Sequence, residues 1–229
     1  MTERPLRYQW AVCGIAAGAA RFIPVPLLDD VIRQRAVQFA VLRTLRAHDR
    51  DLPRGLLEPL WGEPEGKARA GLRGRLRKLS GRVLLFPVRK YIAVFGSVRG
   101  VPTDVARVVL LARSVERRLV RGELSQPDRV QNEARALRRA VDKAIDDLDL
   151  KLLTAALADG LSQTRGLSAA AVTFARRRFT NAEPAGDLMP DGPIADSADR
   201  VTEVLERPEV VQLLDRFDTQ VDALLVARS

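Results

Sequence analysis

Apolar residues recur at helical spacing along most of the chain. The clearest run is Val130, Ala134, Leu137, Val141, Ile145, Leu148 and Leu152, with steps of 4, 3, 4, 4, 3 and 4. Such steps keep one face of an α-helix apolar. Ser125-Gln126-Pro127-Asp128 precedes the run. It is a helix start, because proline suits a first helical turn whose N–H groups have no partner. The pattern predicts one long helix over 127–159, ending near Gly160, with Ser162 to Phe179 as its partner after a short turn.

The same reading places a helix from Asp29 or Asp30 to about Ala47. Either Asp can cap it, and Val31, Ala36, Phe39 or Ala40, and Leu42 or Leu45 point inward. Pro102-Thr103-Asp104 opens another helix through about Arg121, and Ser197 opens a final pair divided at Pro208. Shifted by 74 residues, Asp30, Val31, Arg33, Val41, Arg43 and Leu45 fall on Asp104, Val105, Arg107, Val115, Arg117 and Leu119. A duplicated helical hairpin would give this match. So would chance in a chain rich in Arg and Val.

Proline and glycine mark the breaks. Residues 49–66 hold Pro53, Pro59 and Pro64 and read as loop or short turns, and 181–196 hold Pro184, Pro190 and Pro193 and read as a linker. Val and aromatic residues are dense over 83–98, which also suits strand, but strict alternation is lacking and helix is preferred. The expected fold class is all-α: antiparallel helical hairpins in a bundle with a short C-terminal helical appendage. The expected organisation is a helical domain over 1–179, a linker over 180–196 and C-terminal helices over 197–229. Within the first, 10–122 form apolar and basic hairpins and 123–179 a long helical hairpin.

Three apolar stretches approach the length of a membrane span, about 20 residues. Trp10 to Leu28 carries Arg21, Pro24 and Pro26; Val83 to Val98 carries Arg89 and Lys90; Val105 to Val120 carries Arg107 and Arg113. None is a clean span, so interfacial insertion and ordinary core packing both remain open. Gly14 and Gly18 form a small-xxx-small spacing that allows close helix contact in lipid or in water. Arg4 and Arg7 ahead of the first stretch resemble a leader, but the Pro-rich continuation reads as the start of a packed domain.

Composition narrows the chemistry. The chain has 229 residues and a formal charge of +9, with one Cys (Cys13) and one His (His48). That excludes an internal disulfide and an N/S zinc site. A lone thiol suits a reducing cytoplasm. Any nucleophile–histidine device would need His48, which falls at the end of the 29–47 helix, where an imidazolium is favoured by the dipole. Phosphate-loop, dinucleotide, zincin and serine-hydrolase motifs are all missing from the sequence. Asp29-Asp30 reads as a helix cap, and Asp146, Asp147 and Asp149 as a solvated face. The expectation is a non-enzymatic protein with no catalytic residue, no cofactor and no metal.

The charge is concentrated. Between Glu65 and Asp104 there is no acidic residue, and the ten basic ones are Lys67, Arg69, Arg73, Arg75, Arg77, Lys78, Arg82, Arg89, Lys90 and Arg99. Their +10 exceeds the +9 of the whole chain, so the remainder sums to −1. Ala68, Leu72, Leu76, Leu79 and Val83 give this block an apolar helical stripe. Gly71, Gly74 and Gly81 weaken it, each by about 1 kcal/mol relative to Ala. A helix so softened needs a surface to order it: the protein's own core, an anionic bilayer or a nucleic acid. Apolar residues beside the block, Val83 to Phe86 and Tyr91 to Phe95, suit a headgroup interface. Nucleic-acid sites more often interleave aromatics for stacking.

Gly18-Ala19-Ala20-Arg21-Phe22-Ile23-Pro24-Val25-Pro26-Leu27-Leu28-Asp29-Asp30 resembles the EcsC-like family: an Ala/Gly-rich helix, an I-P-x-P turn, an Asp and a long helix. Asp149-Leu150-Lys151-Leu152-Leu153 is similar to that family's second half, and the resemblance spans about 10–175. It implies a bacterial helical protein, often membrane-associated and linked loosely to transport or secretion. The family has no established catalytic residues to carry over. This chain departs from it by placing Arg in every apolar segment.

These readings converge on a membrane-associated helical protein, cytoplasmic and peripheral to the inner membrane. Its lipid- or anion-contacting residues would be Lys67, Arg69, Arg73, Arg75, Arg77, Lys78, Arg82, Arg89 and Lys90. The alternatives are a soluble scaffold that docks an acidic protein partner, with 127–159 serving docking or homo-oligomerisation, and a sequence-independent nucleic-acid binder.

Overall fold

The computed structural model describes residues 3–25, 27–62, 100–180 and 186–227, with the side chains of 3–5 left aside. All of the described regular structure is helical, as the apolar spacing predicts. The helices are α1 (Glu3–Ala19), α2 (Leu28–Ala47), α3 (Arg54–Leu57), α4 (Val101–Val120), α5 (Pro127–Asp147), α6 (Lys151–Ser162), α7 (Leu167–Phe179), α8 (Gly192–Leu205) and α9 (Pro208–Val226). Short 3₁₀ turns follow α1 at Ala20–Phe22 and α3 at Glu58–Leu60.

Helix α1 is the axis of the bundle. It packs against α2, α4, α7 and α8, and every residue from Gln9 to Ala20 is buried. A helix apolar all round must be wrapped by protein or by lipid, and here α1 is wrapped by protein. Among the described residues no helix is long and apolar enough to cross a membrane. Of the three near-spans, the first is this core helix and its following turn, and the third is α4. The second, Val83 to Val98, lies outside the described residues.

The glycine pair sets the closest crossing. A Cβ on Gly14 would lie 3.0 Å from the Val105 Cα, and one on Gly18 would lie 2.8 Å from Val101 Cγ1. Small residues one turn apart therefore let the α4 backbone press against α1. Two of the polar groups in this core are paired with each other. The Trp10 indole N–H donates to Thr44 Oγ1 at 2.8 Å, and the Thr44 hydroxyl donates on to the Ala40 carbonyl at 2.8 Å. Phe39 of α2 meets Phe179 of α7 edge to face, with ring centroids 6.3 Å apart. Such a pair adds about 0.5–1.5 kcal/mol beyond burial.

Two boundaries differ from expectation. The predicted 127–159 helix is two helices, because α5 stops at Asp147 and α6 begins at Lys151. Asp146 and Asp147 crowd the C-terminal end of α5, where the dipole disfavours carboxylates. The Asp149 carboxylate accepts the Lys151 backbone N–H at 3.0 Å, which offers the chain a fresh start. The final pair divides at Pro208 as expected, but α8 begins at Gly192 rather than Ser197.

The stretch before α8 is anchored. Gln9 Nε2 donates to the Leu188 carbonyl at 3.0 Å, and the Leu188 N–H donates back to Gln9 Oε1 at 2.8 Å. Leu188 is buried, and the residues of α8 and α9 join the same buried cluster as α1.

Candidate functional site

The nine residues predicted to contact an anion, Lys67 to Lys90, lie outside the described residues. The described part shows instead how the rest of the charge is used, and where the chain leaves for 63–99 and returns from it.

Most of the arginines on α4 face carboxylates of α9. Arg113 donates to Asp218 Oδ2 through Nη2 at 2.7 Å and through Nε at 3.0 Å, and it reaches Asp215 at 3.3 Å. Arg117 lies 3.3 Å from Asp218 and 3.4 Å from Asp222. Arg118 bonds Asp222 and, at 2.9 Å, Glu123, while Arg121 bonds Asp222 at 2.7 Å. The spacing explains the ladder: 113, 117 and 121 share one face of α4, and 215, 218 and 222 share one face of α9. Burial pushes the Asp222 carboxyl up, but the Arg121 hydrogen bond and the charges of Arg118, Arg121 and Arg117 outweigh it. The net direction is down from the ordinary value. These carboxylates are thus committed within the bundle.

A second group of arginines is arranged differently. Arg21 comes from the turn after α1, Arg33 from α2, Arg107 from α4 and Arg138 from α5, and all four line one cleft of about 190 Å³. The cleft also holds Asp104 and Asp142, over an apolar floor that includes Val37, Val108 and Val141. On α4 the lining positions 104, 107, 108 and 111 are one helical stripe, and on α5 positions 138, 141, 142 and 145 repeat that spacing.

Two of the four guanidinium groups are satisfied. Arg21 grips Asp104 in a fork, through Nε and through Nη2 at 2.9 Å, and this bonding raises the Arg21 pKa still further. Arg138 donates to Asp142 at 2.9 Å and to the Leu60 carbonyl at 2.6 Å. The other two are not. Arg33 Nη1 stays 3.9 Å from Asp30, beyond hydrogen-bond reach, and Arg33 Nε is buried with no partner among the described residues. Arg107 is exposed and unpaired among the described residues. With Asp104 and Asp142 engaged and Asp30 beside Arg33, the cleft keeps one net positive charge.

The cleft also marks the junctions of 63–99. Leu60, held by Arg138, lies two residues before Gly62, the last described residue ahead of that segment. Gly100, the first residue after it, adopts φ +113° with its Cα against the Arg21 guanidinium, where a Cβ would lie 2.8 Å from Arg21 Cζ. Only glycine combines that backbone with that approach.

The other candidate residues lie outside this cleft. His48 ends α2, with Nε2 3.7 Å from a Glu116 carboxylate oxygen. Cys13 is fully buried in α1, and burial raises its thiol pKa strongly. The N-cap of α2 is Leu27 rather than an Asp, and Asp29 and Asp30 sit in its first turn. No group of acidic, His or Cys side chains able to hold a metal occurs among the described residues. A wider, shallow depression of about 390 Å³ beside α7, with Arg176 and Arg177, contains no carboxylate and gathers no arginines from separate helices.

Sequence reasoning passed over the four cleft arginines. Arg21 reads as an interruption of an apolar span, yet it stands just past the end of α1, paired with Asp104. The 74-residue shift does superimpose Arg33 on Arg107, the two members without a hydrogen-bond partner among the described residues, but it is silent on Arg21 and Arg138. Comparison of the chain with protein families, curated proteins and solved structures finds no match.

Proposed function

We propose that this chain is a non-enzymatic, peripheral membrane protein that uses the basic segment over 67–90 to engage anionic lipid headgroups at a cytoplasmic membrane face. The observation that supports this is charge segregation. Arg113, Arg117 and Arg118 of α4 are matched by the carboxylates of α9, while +10 of surplus is gathered between Glu65 and Asp104. Each Lys or Arg near an anionic leaflet contributes about 1 kcal/mol, so a cluster of this size binds without a spanning helix. Membership of the EcsC-like family, resting on the sequence resemblance over 18–30, is part of the proposal. Localisation at the inner membrane belongs to it as well.

Liposome co-sedimentation tests the reading. The chain should pellet with vesicles containing phosphatidylglycerol, remain in solution with pure phosphatidylcholine, and lose binding when Arg73, Arg75, Arg77 and Lys78 are all changed to Gln. Equal binding to both vesicles, or binding that survives those changes, would count against it. Stable capture of an acidic protein without lipid, or binding to duplex DNA with a steep salt slope, would favour the alternatives.

A further inference from the structure

We propose that the cleft between α1, α2, α4 and α5 is a binding site for a small dianionic oxyanion of the phosphate-monoester class, separate from the basic segment. Four arginines from four parts of the chain meet there, and only two carboxylates accompany them. The fork between Arg21 and Asp104 and the bonds from Arg138 to Asp142 and Leu60 fix one side of the cleft in place. Arg33 and Arg107 then offer donors that nothing in the described fold accepts, including the buried Arg33 Nε.

The charge and size of the cleft select the ligand. A phosphate monoester carries about −1.5 to −2 at neutral pH, and its oxygens can accept from both the Arg33 Nε and the Arg107 guanidinium in a cleft of net positive charge. Guanidinium presents paired N–H donors that fit phosphate oxygens in a fork. A volume of about 190 Å³ holds roughly six waters at about 30 Å³ each. That admits a phosphate with a short substituent. Val37, Val108 and Val141 at the floor favour a substituent that is apolar rather than a sugar.

Calorimetric titration of the full chain tests this. Inorganic phosphate should bind at one site per chain, phenyl phosphate more tightly, and acetate more weakly than either. Changing Arg33 and Arg107 together to Gln should weaken phosphate binding by about tenfold or more, whereas the Gln variants at 73, 75, 77 and 78 should leave it unchanged. Circular dichroism monitors folding, and if the pair variant unfolds, the exposed Arg107→Gln alone takes its place. Vesicles separate the two sources of the same chemistry. If the site takes a lipid headgroup, the pair variant loses binding to phosphatidic acid vesicles but keeps binding to phosphatidylglycerol vesicles. If it takes a free phosphate compound, vesicle binding is unaffected and only the soluble titration weakens. Phosphate affinity unchanged in the pair variant, or lost only with the basic segment, would overturn the assignment and leave the lipid reading of 67–90 standing.

Discussion

The crossing of α1 and α4 makes a quantitative demand on Gly18. Replacing it with Ala would put a methyl 2.8 Å from Val101 Cγ1 and 3.4 Å from the Val101 carbonyl oxygen. Val101 is fully buried, and a β-branched side chain in a helix has one favoured rotamer, so it has little room to swing away. Overpacking of this kind costs about 1–3 kcal/mol. Removing glycine from a helix returns at most about 1 kcal/mol. The net expectation is a loss of about 1 kcal/mol, a fall in Tm of about 2–4 °C for a chain of this size. Val101→Ala alone should cost about 2 kcal/mol through lost burial and a small cavity. In the double variant the new methyl enters the space that Cγ1 has left. Gly18→Ala should then stabilise by up to about 1 kcal/mol, a coupling of about 2 kcal/mol between the two sites. Urea denaturation of the four proteins, followed by circular dichroism, measures this cycle. A Gly18→Ala variant that is more stable than the parent, with effects that simply add, would refute the close approach.

Other consequences are more direct. Asp218→Ala removes a carboxylate that is 3 % exposed and leaves Arg113 half-matched, so denaturant unfolding should show a loss of about 3 kcal/mol. Asp222 has a folded pKa below its unfolded value. Its contribution is present above the ordinary carboxylate range and is lost as pH falls through the lower folded value. Stability should therefore drop on the acid side of about pH 4, and Asp222→Asn should flatten that limb of the curve. Cys13 should resist thiol reagents in the folded chain and react at once in denaturant, because burial keeps its thiol protonated and out of reach. Gln9→Leu strands the buried Leu188 N–H and carbonyl at about 1–3 kcal/mol each, which limited proteolysis near 186–191 should report as faster cutting.

How much of this could be read from residues alone depends on how local the cause was. The start of α5 at Pro127 and the division at Pro208 follow from single-residue rules and came out as expected. The break after Asp147 needed three carboxylates at a helix end to be weighed against an unbroken apolar stripe, and the stripe is the louder signal. The character of α1 could not be decided locally, since an apolar helix wrapped by α4 and α8 and one wrapped by lipid have the same sequence. The arginine cleft is the least legible element. Its members are separated by up to 117 positions, between Arg21 and Arg138, and only packing shows that Asp104 and Asp142 satisfy two of them and leave two over.

Burial of α1 has a consequence for biosynthesis. The surfaces that cover it come from α2, α4, α7 and α8, the last of which ends at Leu205. Translation runs at about 5–20 residues per second. A nascent chain therefore displays a greasy rod that is only partly covered for roughly 10–40 s before its last wall leaves the ribosome, ample time for chaperone capture.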